Sequence, residues 1–274
     1  MSSAYKLSAL LLLLASGATG WASAALRVCA DPNNLPYSNQ EQQGFENHIA
    51  DLMAADMGMT LHYVWFPQRE AFFRKTLDAG VCDVVMGVPS GMEGTSTTRP
   101  YYVSSYAFLT RRDRHLNLRS LDDPRLRRLR IGVHILGDED DSLPPVHALI
   151  RRGIVHNLVG YSIFGNLAEA NPSSDLIQAV VNRKVDVAIV WGPLAGYFAR
   201  RSPVPLELTP IAQDPRSPGL PMSFRIAIGV RPQDRQLRRE LDAELVRREP
   251  EIHRLLVSYG IPQTGAVAAL HGGN

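Results

Sequence analysis

The chain has 274 residues, of which 20% are charged and 45% hydrophobic, and a formal net charge of +2. That balance gives neither the basic footprint of a nucleic-acid binder nor an acidic coat, and the length allows one sizeable core or two lobes.

The N-terminus reads as an export signal. Lys6 is followed by an apolar core from Leu7 to Ala15, and Ala22-Ser23-Ala24 fits the small-x-small cleavage rule. The apolar run is too short to span a bilayer, and no later stretch approaches the ~20 apolar residues a span needs. The expectation is residues 1–24 as a signal peptide, a periplasmic mature chain and no membrane span.

Leu26 to Ala30 is a short apolar strand, and Asp31-Pro32-Asn33-Asn34-Leu35-Pro36-Tyr37 is a loop whose prolines forbid a helix. Phe45 to Met57 is predicted as an amphipathic helix with Phe45, Ile49, Leu52, Met53 and Met57 on one face. Thr60 to Phe66 alternates like a strand, Gln68 to Ala79 reads as a second helix closed by Gly80, and Cys82 to Val88 as a third strand. This order predicts a doubly wound, mostly parallel α/β sheet.

The pattern then restarts. Tyr106 to Thr110 and Arg130 to His134 are strand-like, and Pro145 to Arg152 and Asp175 to Asn182 helical. A strand at Val185 to Trp191, a Pro-rich connection at Ser202 to Met222, a strand at Phe224 to Val230 and one long helix at Arg235 to Ser258 complete the chain. Two α/β units followed by a late strand and helix suggest two lobes between which the chain crosses more than once. In such folds the site lies in the crevice at the carboxyl ends of the strands.

Cys29 and Cys82 are the two cysteines. In an oxidising compartment they suggest one structural disulfide, worth ~4 kcal/mol in the chain-entropy model if their strands are neighbours. A reactive or metal-binding thiol pair is the alternative, but no histidine stands at ligand spacing.

Gly44-Phe45-Glu46, Ala79-Gly80-x-Cys82-Asp83 and Arg99-Pro100-Tyr101-Tyr102 make the first half resemble a type II periplasmic binding protein. Further motifs are Pro144-Pro145-x-His147-Ala148-Leu149, Arg151-Arg152-Gly153-Ile154, Asn157-Leu158-Val159-Gly160-Tyr161 and Val190-Trp191-Gly192-Pro193-Leu194-Ala195-Gly196-Tyr197-Phe198. Together with Gly137-Asp138 these are similar to binding proteins associated with quinoprotein dehydrogenases, including the J-type protein of methanol oxidation systems. The resemblance implies a hinged, two-lobed fold, with lobe 1 at 25–110 plus 223–264, lobe 2 at 111–222 and a C-terminal tail at 265–274. It implies a non-enzyme without a cofactor of its own, whose partner is a periplasmic quinoprotein (methanol-type) dehydrogenase or its cytochrome. A small-molecule ligand is also compatible with it.

One departure matters. Amino-acid-binding members of the superfamily carry an arginine about ten residues before the Tyr-Tyr pair, for the ligand carboxylate. Here that position is Gly91, and Met92, Glu93 and Gly94 supply no cation. A carboxylate there lacks its bidentate partner.

The candidate cleft residues are Asp31, Tyr37, Glu46, Trp65, Pro89, Tyr101, His134, Asp138, Trp191 and Pro193. Tyr37, Trp65 and Trp191 end strand or loop segments and could form an aromatic wall. Asp138-Glu139-Asp140-Asp141-Ser142 is oxygen-rich, as hard cations prefer, but lacks the calcium-loop pattern and fits helix capping better, so no metal is expected. The arginines at 125, 127, 128 and 130 read as a solvated surface rather than an acidic partner's docking patch. No Gly-x-Ser-x-Gly elbow or His-Glu-x-x-His motif is present. Three readings stay open: a dehydrogenase accessory protein, a transport receptor for a small non-amino-acid metabolite, and a prephenate-type dehydratase using Glu46 or Asp138 as its acid.

Overall fold

The structure is a computed structural model and describes residues 24–69, 71–135, 143–163 and 171–262. The expected signal peptide core, the C-terminal tail and the acidic cluster with Asp138 lie outside the described residues.

The first half runs β1 (Ala25–Ala30), the small pair β2 (Asn33–Asn34) and β3 (Ser38–Asn39), α1 (Phe45–Asp56), β4 (Thr60–Trp65), the single turn α2 (Phe72–Lys75), β5 (Val84–Pro89), β6 (Ser96–Thr97) and β7 (Tyr102–Arg111). Then come β8 (Ile131–Ile135), α3 (Pro144–Ile150), β9 (Leu158–Ser162), α4 (Asp175–Val181), β10 (Val187–Trp191), α5 (Gly192–Arg201) and β11 (Leu206–Pro210). The chain closes with β12 (Ser223–Val230), α6 (Arg235–Arg247) and α7 (Glu249–Ser258).

The strands order as β4-β1-β5-β12-β7-β10-β8-β9, with β6 on β12 and β11 on β7. Parallel trios stand at each end, β4-β1-β5 and β10-β8-β9, as the doubly wound expectation required. Between them, β12 and β7 run antiparallel. β7 changes partner midway: Tyr102 to Ser105 pair with β12, whereas Tyr106 to Thr110 pair with β10. The two lobes therefore share one long strand, and the chain returns between them at β12.

Both faces of the inner strands of each trio are covered, so successive residues along such a strand serve different cores. In β1, Leu26, Val28 and Ala30 pack under α1, α6 and α7, while Cys29 points to the opposite face with Phe72, Leu77, Cys82 and Val85. In β10, Val187 and Ile189 join one cluster and Ala188 and Val190 the other. On α1, Phe45, Ile49 and Met53 are fully buried at the expected spacing of four.

Cys29 and Cys82 are bonded, with their Cα atoms 5.6 Å apart, and so pin β1 to the turn that feeds β5. The motif residue Asp83 accepts from the Arg27 side chain at 3.0 and 2.6 Å and from Arg231 at 3.2 Å.

The structure corrects four elements. The long C-terminal helix is two, because Pro250 has no N–H to continue the ladder and is tolerated only in the first turn of α7. The helix expected at Gln68 to Ala79 shrinks to α2: the Thr76 hydroxyl donates to the Phe72 carbonyl at 2.6 Å, while the Phe73 carbonyl receives the N–H of both Thr76 and Asp78. The Pro-rich connection contains β11, whose Leu206 and Leu208 pack on the core under α4 and α5. Trp191-Gly192-Pro193 does not end in a loop but opens α5, with Pro193 in its first turn.

The arginine run is held within its own lobe. Arg125 pairs with Asp123 at 2.6 Å, Arg130 with Asp186 at 3.3 Å, and Arg127 donates to the Arg152 carbonyl at 2.7 Å.

Candidate functional site

The crevice between the two trios holds two adjoining cavities, of about 230 and 420 Å³, that share Asn34, Tyr37, Gly87, Ile163, Trp191 and Ile226. Their walls come from strand ends and the loops that follow, where an α/β sheet presents its sites.

The lobe 1 wall begins at the turn after β1. Asp31 accepts the backbone N–H of Asn33 at 2.8 Å and of Gln68 at 2.6 Å, and Asn34 donates to the Gln68 side chain at 3.0 Å. This belt fixes the β2–β3 turn against the loop after β4. It also crosses the crevice, since the Asn171 backbone N–H donates to Asn33 Oδ1 at 3.3 Å.

Behind the belt lies Glu46, in the first turn of α1. Gly44 is required two residues earlier, at the helix N-cap, because a Cβ there would meet the Tyr37 carbonyl oxygen at 1.9 Å. Gly87 in β5 is required for two reasons: its φ is +72°, and a Cβ would come within 2.4 Å of Glu46 Oε1. The Glu46 carboxyl is 6% exposed and receives the Tyr101 hydroxyl at 3.1 Å, while the Gly87 N–H donates to that hydroxyl at 3.1 Å. Desolvation pushes the Glu46 pKa up to about 8, against a smaller opposing effect of the Tyr101 hydrogen bond. At neutral pH this carboxyl keeps its proton.

The wall around the end of β10 is aromatic and apolar. Trp191 meets Tyr106 edge-on at 5.3 Å and Phe224 at 5.8 Å, the two rings lying 6.4 Å apart. His134, at the end of β8, is 2% exposed; burial lowers its pKa to about 4, partly offset by a hydrogen bond with the Ser173 backbone. It too is neutral at pH 7. Burial likewise holds Tyr37, Tyr101 and Tyr102 well above the usual phenol range.

Of the residues expected at the cleft, Asp31 and Glu46 line the smaller cavity, Pro89 and His134 the larger, and Tyr37 and Trp191 both. Tyr101 acts from behind through Glu46. Two depart from the expectation. Trp65 stacks on Tyr63 at 4.6 Å and packs on the lobe 1 core, so the aromatic wall is completed by Tyr106 and Phe224 instead. Pro193 is buried in α5 and lines neither cavity.

Gly91 sits in a turn beyond β5 and also lines neither cavity. A guanidinium does line the smaller cavity, but from Arg69 in the loop after β4. Among the described residues no group of three or more His, Cys, Asp or Glu is arranged to hold a metal ion. Among the described residues the inner walls thus offer uncharged hydrogen-bonding groups set among apolar and aromatic surface, with charged side chains at the Asp31 and Arg69 turns.

No protein-family profile matches the chain. It is 31% identical to protein MoxJ of Methylorubrum extorquens over 243 residues, covering 86% of this chain and 81% of that protein. Among solved structures it is similar to the periplasmic binding protein XoxJ from Methylobacterium extorquens, with 32% identity, a TM-score of 0.73 and coverage of 88% of this chain and 100% of that one. MxaJ from Methlophaga aminisulfidivorans gives 28% identity and a TM-score of 0.72, over 88% of this chain and 100% of that one. An ancestral cationic amino acid solute-binding protein, at 17% identity and a TM-score of 0.65 over 86% of this chain and 96% of that one, shares the fold.

Proposed function

The chain belongs to the MoxJ and XoxJ family of two-lobed periplasmic binding proteins, and from that premise we propose that it is a non-enzymatic periplasmic accessory protein of a PQQ-dependent, methanol-type dehydrogenase. Its task is to aid maturation of that enzyme or to dock with it. The observation that carries this reading is the likeness to MoxJ along 86% of the chain. The crevice supports it from a second side. Amino-acid capture in this superfamily uses a bidentate cation at the Gly91 position, and Gly91 lines neither cavity; among the described residues the charges lining the crevice are those of Asp31 and Arg69.

The division into lobe 1 at 25–110 plus 223–264 and lobe 2 at 111–222 belongs to the same proposal. It is supported by the switch of β7 from β12 to β10. The test is gentle purification of the mature protein from its native periplasm, with mass spectrometry of what accompanies it. A quinoprotein dehydrogenase or its cytochrome is the expected companion. Recovery without either, but with a tightly held metabolite, favours the second reading, a transport receptor for a small non-amino-acid solute; the observation behind that reading is the 420 Å³ cavity, within the size range of small-molecule sites.

A further inference from the structure

Two residues lining the larger cavity each bury a polar atom that has no hydrogen-bond partner: His134 its Nε2 and Ser173 its Oγ. His134 is 2% and Ser173 3% exposed, so bulk water does not supply the missing bonds. They come from different elements, His134 from β8 and Ser173 from the 3₁₀ turn Pro172–Ser174 before α4. The Ser173 backbone stands beside the imidazole and favours its protonated form, as a carbonyl acceptor does. Leaving a buried donor or acceptor unmet is costly, and a folded chain rarely does so twice on one cavity wall without a group to receive there.

The chemistry of the two atoms is complementary. In the tautomer that keeps the ring proton on Nδ1, toward that backbone, Nε2 of the neutral imidazole carries a lone pair and accepts; the serine hydroxyl can donate or accept. A single hydroxyl satisfies both, giving its proton to Nε2 and taking one from Ser173. A carboxylate has no proton for Nε2, and a hydrocarbon leaves both atoms unmet. The surrounding surface, Tyr106, Leu194, Phe224 and Ile226, suits an apolar body.

We propose that His134 and Ser173 form the polar end of a binding subsite for a small uncharged molecule that carries a hydroxyl on an apolar body. The proposal rests on the crevice being a binding cleft and not on the dehydrogenase partner.

The test uses the mature protein with ¹⁵N-labelled histidine, titrated with 2-butanol, cyclohexanol and benzyl alcohol, and with toluene and benzoate as matched probes. The expected result is saturable movement of the His134 Nε2 resonance by at least one alcohol. Toluene and benzoate should bind about tenfold more weakly or worse, and Ser173→Ala should weaken the alcohol about tenfold, the effect of one lost hydrogen bond. The resonance is read on the unaltered protein, so the result does not depend on a variant folding. Toluene binding as well as benzyl alcohol, or an Nε2 resonance that no alcohol moves because water alone fills the subsite, overturns the proposal. Neither outcome touches association with a dehydrogenase, which is read separately by co-purification.

Discussion

Tyr101 donates its hydroxyl proton to Glu46 Oε1 across 3.1 Å, and that hydroxyl in turn receives the Gly87 N–H. The pair ties α1 to β5 and to the start of β7 and puts a protonated carboxyl behind the cleft wall. Two consequences follow from burying titratable groups there.

The first concerns alkaline pH. The Glu46 pKa rises from 4.5 to about 8 on folding, chiefly through desolvation. Below 4.5 both states hold the proton; between 4.5 and 8 only the folded state does. Stability is therefore lost as pH rises through that window and is level above it. Glu46→Gln should remove this loss and stabilise the protein at pH 8 by roughly 3–5 kcal/mol. Urea unfolding at pH 5 and pH 8 measures it, and equal pH slopes in the two proteins would exclude a buried, protonated Glu46.

His134 has the opposite sign. Its pKa falls from 6.5 to about 4, mainly by desolvation, so its stabilisation is present above 6.5 and lost as pH falls through 4. His134→Gln should flatten the acid limb of the stability curve between those values. The same unfolding series extended to pH 4 tests it; an unchanged acid limb contradicts the burial.

The buried ion pair of lobe 2 is a third test. Arg152 and Asp214, with side chains 2% and 1% exposed, meet at 2.7 and 2.8 Å. Asp214→Ala leaves a guanidinium without its buried partner and should cost about 3–5 kcal/mol. A loss below about 1 kcal/mol in chemical denaturation means that the remaining contacts of Arg152, to Asp122 at 2.9 Å and to the Ala148 carbonyl at 3.0 Å, suffice to hold it.

Reducing the Cys29–Cys82 bond, which spans 53 residues, should cost ~4 kcal/mol on the chain-entropy account. The difference in urea midpoint with and without reductant measures it, and no difference would place the stability of lobe 1 entirely in its core.

The strand-helix-strand order made the β4-β1-β5 trio legible in the sequence, together with β8 and β10 of the second trio. β9 and β11 were not legible. β9 forms the edge of the sheet order, and its middle residues Val159 and Gly160 are exposed. β11 is five residues that follow Pro205 and end in Pro210, and it takes its hydrophobic support from α4 and α5. Pro250 was visible, but the charged periodicity on both sides of it masked the break.

The cleft was legible where it is built from the ends of β1, β5, β8 and β10. Tyr106, Phe224 and Ile226 could not be placed, because β7 and β12 bring them in by crossing between lobes. Several motif residues turned out to be structural pins. Asp83 and Arg152 hold ion pairs, and Asn157 donates to the Leu126 and Leu129 carbonyls at 2.6 and 2.5 Å. Their spacing speaks for the family and not for the ligand.

The most direct measurement of the central claim is sedimentation of the labelled mature chain mixed with purified quinoprotein dehydrogenase from the same cells. A saturable, faster-sedimenting complex with the enzyme or its maturing form is the predicted result. A chain that sediments alone at every concentration of mature and cofactor-free enzyme, and of its cytochrome, would contradict the accessory role.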